Sequence, residues 1–222
     1  MTTYLQRDVR KLIRVKDLSK FHLFLKLCAG RHGQLVNLTE IGVACGISHT
    51  TVSEWINLLE LSYILFRVQP YYKNFNKRLV KNQKLYFYDS GLVCHLLGIE
   101  SACHAQIHAN RGVLFEGYVI SEIIKCFVSQ ARVPNIYFWS SHKGFEVDLL
   151  IEKSEQVQAI EIKSSATCSN GFMRQLTKWQ ALNSGQNINN SYLEYAGEKN
   201  LEVNNIQVIS YKNIYKNIID VI

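Results

Sequence analysis

The sequence predicts two modules in tandem: an α+β module built on two helices and a hairpin, then an α/β module with helices around a sheet. Three observations carry that expectation. Helical spacing punctuated by turn glycines dominates residues 18 to 61, strand-like alternation with charges dominates residues 136 to 163, and the sign of the charge changes between them. The 222 residues, 47% of them hydrophobic, supply apolar material for two modest cores. Two Pro, 12 Gly and no low-complexity tract leave little room for disordered linkers. The expected division is 1–90, a connecting helix and loop at 91–111, and 112–222.

Charge is unevenly placed. Residues 1 to 85 carry 14 Lys and Arg against 5 Asp and Glu, whereas residues 86 to 222 carry 11 against 13. The basic half is therefore the one expected to meet phosphate. No apolar run reaches the roughly 20 residues of a membrane span, and the first residues lack a signal peptide's apolar core, so a cytoplasmic protein without a membrane partner is expected. Six dispersed cysteines with no CxxC pair suit reduced thiols rather than a disulfide framework.

In the first module, Met1 to Arg14 reads as an amphipathic arm, and Leu18 to Ala29 as a core helix that Asp17 or Ser19 can cap. The stretch LTEIGVACGISHTTVSEWINLLEL, Leu38 to Leu61, reads as helix, tight turn, helix. Thr39 is placed to cap the first helix and Ser48 the second. Gly42 permits close helix approach, and Gly46 suits a left-handed turn. Ile41, Cys45, Ile47, Val52 and Trp55 would form the shared seam, leaving His49, Thr50, Ser53, Glu54 and Asn57 outward.

Strand-like runs at Tyr63 to Pro70 and Lys84 to Tyr88 flank a tip carrying Lys73, Lys77, Arg78 and Lys81. A hairpin after a helix-turn-helix is the winged-helix arrangement, in which the wing sets cations on phosphate. Duplex DNA is the partner this implies, with His49, Thr50 and Ser53 facing the groove. The second helix has no Arg or Lys before Arg67, so base-specific reading is weak, and a protein-docking role fits equally. Beyond a short helix at Leu92 to Leu97, residues 98 to 110 read as a loop. Its Cys103, His104 and His108, with Cys94 and His95, match no zinc-finger spacing.

The second module opens with the helix Gly112 to Ser129, in which Glu116 lies in the early turns. Three strands follow, Ile136 to Ser140, Phe145 to Glu152 and Gln158 to Lys163. Strict alternation puts Glu146 and Asp148 on one face and Glu161 and Lys163 on one face. In an antiparallel hairpin Asp148 and Glu161 converge. Two carboxylates plus the Ile162 carbonyl form a hard-oxygen site for Mg²⁺ or Mn²⁺, beside which Lys163 could orient water and offset phosphorane charge. The alternative is that alternating charges mark only a half-exposed strand.

Asp148, Glu161 and Lys163 resemble the signature of the PD-(D/E)xK nucleases, with Val147 where a proline often stands, and Glu116 resembles the acid on that superfamily's first helix. The resemblance implies a restriction-endonuclease-like fold with Phe172 to Leu182 as the second helix and Tyr192 to Tyr195 and Gln207 to Ser210 as later strands. Wider strings, among them GISHTTVSEWINLLE, GVLFEGYVISEI, GFEVDLLI and AIEIKSS, resemble the carboxyl-terminal region of prokaryotic AAA-type P-loop ATPases, itself a domain of unknown function. In that family a nucleotide-binding module precedes this region. This sequence has no G-x-x-x-x-G-K-[ST] loop, so neither bound nucleotide nor ATP hydrolysis is expected, and an ATPase module becomes a candidate partner. A boundary placed between modules and a shortened gene both fit that absence. The leading expectation is a nucleic-acid-binding, nuclease-like region with Glu116, Asp148, Glu161 and Lys163 as catalytic candidates. The alternative is a non-catalytic DNA- or protein-binding effector that keeps the fold as a scaffold.

Overall fold

The first helix starts where capping chemistry says it should. In the structure, a computed structural model describing residues 17–72, 82–141, 144–153, 156–183 and 187–214, α1 (Leu18–Gly30) begins at Asp17. The Asp17 carboxylate accepts from the Ser19 and Lys20 amides at 3.0 and 3.1 Å. The arm from Met1 to Arg14 and the tip cations Lys73, Lys77, Arg78 and Lys81 lie outside the described residues. The chain divides into two units, Met1–Arg67 with Asn82–Gly117, and Val68–Lys81 with Tyr118–Ile222.

In the first unit α1 buries Phe21, Phe24, Leu25, Cys28 and Ala29. After β1 (Gln34–Leu35) comes α2 (Leu38–Cys45), whose cap is Asn37, accepting from the Glu40 amide at 3.2 Å. Thr39, the cap expected from the sequence, lies inside the helix, because the helix starts earlier and Asn37 supplies an equally good acceptor. Gly46 ends α2 in the left-handed region at φ 63°, ψ 42°. A Cβ on Gly42 would stand 2.8 Å from the Ile47 carbonyl oxygen, so the tight turn requires glycine there.

Ser48 caps α3 (His49–Leu61), accepting from the Thr51 amide at 3.0 Å. Ile41, Cys45, Val52 and Trp55 are buried between the helices, and Ile47 packs against them. Trp55 meets Phe21 and Phe24 edge-on, at centroid distances of 5.1 and 5.2 Å. The helix-turn-helix seam is therefore as expected, and α1 closes its third side.

Strands β2 (Leu65–Pro70) and β3 (Lys84–Phe87) occupy the two hairpin runs, and β1 pairs antiparallel with β3. Asp89 caps α4 (Ser90–Leu96). The expected loop at 98 to 110 contains α5 (Ala102–Ile107), nucleated by Ser101, whose Oγ accepts from the His104 amide at 3.1 Å. None of its residues is buried, so it has no apolar periodicity for a sequence reading to find. The long helix α6 (Arg111–Ser129) starts in this unit and ends in the other.

In the second unit α6 buries Val119, Ile120 and Ile123. The strands are the end of β2, β4 (Ile136–Ser140), β5 (Glu146–Lys153), β6 (Gln156–Lys163), β7 (Asn187–Tyr195), β8 (Leu201–Val203) and β9 (Ile206–Ser210), in the order β2-β4-β5-β6-β7-β9-β8. β4, β5 and β6 are antiparallel neighbours, while β6, β7 and β9 run parallel. The crossover from β6 to β7 carries a 3₁₀ turn, Asn170–Met173, and α7 (Arg174–Leu182). Leu176 and Trp179 of α7 pack with Val147, Leu150, Val157, Ala159 and Leu193.

One register detail corrects the strict alternation expected of β5. The β4–β5 pairing shifts between Tyr137, opposite Leu150, and Trp139, opposite Val147, so Asp148 and Leu149 together face Phe138. Such a bulge breaks the two-residue period. Val147 and Leu150, three apart, accordingly share the α7 cluster.

Candidate functional site

The middle of β6 is covered on both sides: Val157 to Ile162 are all buried. Glu161 is part of that run, and a charge there needs compensation. Lys163, two residues on, supplies it, donating from Nζ to Glu161 Oε1 at 2.6 Å. The same ammonium stands 3.6 Å from Asp148 Oδ2. Lys163 thus stands within reach of both Asp148 and Glu161.

Asp148 reaches this point through the bulge. The β5–β6 ladder runs from Lys153 opposite Gln156 to Leu149 opposite Ile160. Beyond it the Asp148 side chain takes over, its Oδ2 accepting from the Ile162 amide at 2.8 Å. The N–H and C=O of a strand residue point toward the same neighbour, so the Ile162 carbonyl faces the gap that Asp148 borders. Side-chain exposure rises from 3% at Glu161 to 13% at Asp148 and 31% at Lys163, so the cluster opens to solvent on the lysine side.

Glu116 belongs to the first unit. It is buried, accepts from Tyr86 Oη at 2.5 Å and lies 3.6 Å from Lys84 Nζ. Of the groove-facing candidates, His49 and Thr50 are exposed at the start of α3 and Ser53 is half-buried. Asn57 accepts from Arg67 at 2.9 Å, and Arg67 also pairs with Glu60. In the cysteine and histidine region, His104 and His108 have ring centroids 5.6 Å apart, and His108 Nδ1 already accepts from the Asn110 amide. Among the described residues no group of three or more His, Cys, Asp or Glu is placed to hold a metal ion. All six cysteines are free thiols.

Several chemically informative groups escaped the sequence reading. Glu194 on β7 is fully buried with no hydrogen-bond partner on either carboxylate oxygen, and burial pushes its pKa up from 4.5 to about 8. His32 is buried, its Nδ1 accepts from the Phe87 amide at 3.2 Å, and its Nε2 has no hydrogen-bond partner. Burial pulls its pKa down to about 4. Lys178 of α7 sits over the Phe145 ring, 3.3 Å from its centroid. Nothing in the local pattern marks Glu194 or His32 as interior. Lys178, by contrast, follows Arg174 by one turn, a spacing the sequence displays.

Fold and site together define a mixed α and β chain with a helix-turn-helix in one unit and a carboxylate and lysine cluster at a strand end in the other. Residues 1–102 match the family described as a domain of unknown function, DUF8612, and residues 111–214 match a second, DUF4143. An uncharacterized protein of Mycobacterium bovis and another of Mycobacterium tuberculosis are each 28% identical to this chain over 171 residues, 76% of it. The chain spans 37% of the length of those relatives. Among the described residues, no helix is long and apolar enough to cross a membrane.

Proposed function

We propose that the second unit carries a metal-assisted phosphodiesterase site acting on nucleic acid, within an arrangement of the PD-(D/E)xK type. The observation that supports this is the meeting of Asp148, Glu161 and Lys163 where β6 ends. The donor set fits a hard divalent cation: two carboxylates and a strand carbonyl, with a cationic group already drawn between the acids. Asp148, Glu161 and the Ile162 carbonyl would hold Mg²⁺ or Mn²⁺. Once bound, the ion would polarise a phosphoryl oxygen and lower the pKa of a water molecule.

The chain's own residues do the rest. The Ile162 amide fixes one oxygen of Asp148 and so the direction in which the other is offered. Glu161 is held by burial. Lys163, the most exposed of the three, donates to a phosphate oxygen when its hold on Glu161 is released, and so stabilises charge that grows during attack. The first unit contributes a winged helix-turn-helix grip on duplex DNA. Because α3 (HTTVSEWINLLEL) contains no Lys or Arg, that grip is assigned to Lys73, Lys77, Arg78 and Lys81, with His49, Thr50 and Ser53 beside the groove.

A second reading, a scaffold that binds DNA or a protein partner such as an ATPase module, is favoured by one observation: Lys163 already pairs with both acids from within and offsets one of their two charges. Plasmid incubated with Mg²⁺ or Mn²⁺ separates the two. Cleavage that vanishes in Asp148→Asn and Lys163→Ala supports the enzyme, whereas binding without cleavage at any divalent metal removes it and leaves the scaffold.

A further inference from the structure

We infer that Trp139 is a base-stacking platform beside the acid and lysine cluster, so that the substrate is a nucleic-acid strand with an unpaired base next to the phosphate attacked. The inference rests on the phosphodiester reading for the identity of the ligand, and on placement for everything else. Trp139 stands opposite Val147 and Tyr137 opposite Leu150, and residues directly opposite in a sheet project to the same face. Val147 and Leu150 belong to the cluster under α7, and Trp139 and Tyr137 pack against it. Glu161 and Lys163 lie opposite Leu193 and Tyr195, two more members of that cluster. Trp139, Glu161 and Lys163 therefore share one face.

They also share one end of the sheet. β4 and β6 are each antiparallel to β5, so Trp139, the last residue but one of β4, and Lys163, the last of β6, lie toward the same end. The ladder that sets Leu149 opposite Ile160, carried on two residues, brings Val147 to the level of Ile162 and Trp139 with it. Two strand spacings, about 10 Å, separate β4 from β6, a gap that one nucleotide bridges. α7 packs over β5 and β6, and Trp139 on β4 is half-buried at the rim of the cluster, with Ser140 after it exposed. Part of the indole is thus fixed by the core and part is open to solvent. A fixed indole stacks on a base whatever its identity, and a sheet face is a recurring place for such aromatics. Bases inside a duplex are already paired and stacked, so only an unpaired or extruded one reaches the ring. The flank also suits a phosphate backbone: α7 (RQLTKWQAL) has no acid, and Arg174 is exposed at its start, the end at which β6 finishes.

The test separates bases from phosphates. Labelled thymidine and uridine oligomers of about 12 nucleotides, and an abasic oligomer with the same phosphates, are titrated by anisotropy in EDTA, so that no cleavage occurs. The wild type should bind the thymidine or the uridine oligomer at least about five-fold more tightly than the abasic one, and the tighter of the two tells DNA from RNA. Trp139→Leu, which keeps apolar packing, should lose that preference with an unchanged salt slope, because no phosphate contact is lost. Trp139→Phe should keep part of it. Trp55 and Trp179 are buried, so base-dependent quenching of wild-type tryptophan fluorescence reports Trp139 without any substitution. No base preference in the wild type, a preference that survives in Trp139→Leu, an equal loss for all three oligomers, or no quenching overturns the proposal. The outcomes separate from the parent reading. A wild type that cleaves with Mg²⁺ while Trp139→Leu keeps the preference removes the platform alone. A wild type that cleaves at no metal, while the preference depends on Trp139, removes hydrolysis and keeps the platform.

Discussion

Glu194 makes the stability of the second unit depend on pH in a direction opposite to that of most carboxylates. It is fully buried on β7, opposite Ile162 of β6 and Ile209 of β9, and burial is the cause of the rise in its pKa from 4.5 to about 8. The folded state therefore holds a proton that the unfolded state releases, throughout the window from pH 4.5 to about 8. Below that window both states are protonated and the group costs nothing electrostatic. Stability then falls as pH rises through it, at about 1.4 kcal/mol for each pH unit, which amounts to about 3 kcal/mol at pH 7 and about 5 kcal/mol above pH 8.

Glu194→Gln removes the charge and keeps the shape. The difference in unfolding free energy between variant and wild type, from urea melts between about pH 4.5 and pH 9, isolates this group because all other titrations cancel. The variant should be close to wild type at the acid end and more stable by several kcal/mol at the alkaline end. A difference that stays flat across the window would mean that Glu194 finds water or a cation in solution, and that burial does not hold its proton.

The remaining predictions concern other parts of the chain. His32, with its pKa lowered from 6.5 to about 4, contributes stability above pH 6.5 that is lost as pH falls toward 4, about 3 kcal/mol in all. His32→Asn, whose amide oxygen can take the Phe87 N–H, should flatten that acid limb in urea melts. Gly117→Ala drives a Cβ into His32 Nε2, a buried ring with nowhere to go, so calorimetry should show a loss of about 1–3 kcal/mol. Trp55→Ala opens the core beneath Phe21 and Phe24 and should cost about 3–5 kcal/mol, read by the same melts. Asp148→Ala leaves the Ile162 amide without its acceptor and should cost about 1–3 kcal/mol. Asp148→Asn should cost less, and both should lose any rise in Tm produced by Mg²⁺.

The helix-turn-helix was legible because each of its decisions is local. Ser48 at a cap, Gly46 at a left-handed turn and Gly42 at a close approach each answer a constraint set within a few residues. The three charges of the site were legible for a similar reason, since they stand on strands whose order follows the chain. What stayed hidden depends on neighbours distant in sequence. The bulge that turns Asp148 toward Ile162 is a mismatch with β4, and no pattern within β5 records it. Glu194 in SYLEY looks like the polar phase of an edge strand, yet β7 lies between β6 and β9 and is covered. The helix α5 has a cap but no buried face, so nothing but Ser101 announces it.

Charge placement decides which parts of the first module are available to nucleic acid. Of the 14 Lys and Arg in residues 1 to 85, nine fall in two short stretches, 1–16 and 73–81, against a single acid, Asp8. The cations elsewhere in the first unit are largely committed to its own structure. Lys20 donates to the Gly46 carbonyl at 3.0 Å, Arg31 pairs with Glu40, Arg67 with Glu60, and Lys84 with Glu116. On α3 itself Glu60 and Asn57 hold Arg67, and Glu54 is exposed on the helix. If the module binds DNA as proposed, the two basic stretches are where its long-range attraction is expected, with α3 offering shape and short polar groups. Alanine in place of Lys73, Lys77, Arg78 and Lys81 together should thus flatten the salt slope of DNA binding, each lost phosphate removing about 0.9. His49→Ala and Thr50→Ala should change affinity without changing the slope. A quadruple variant that binds with the wild-type slope would move the phosphate grip away from residues 73–81, leaving the stretch 1–16 as the cationic segment still unaccounted for.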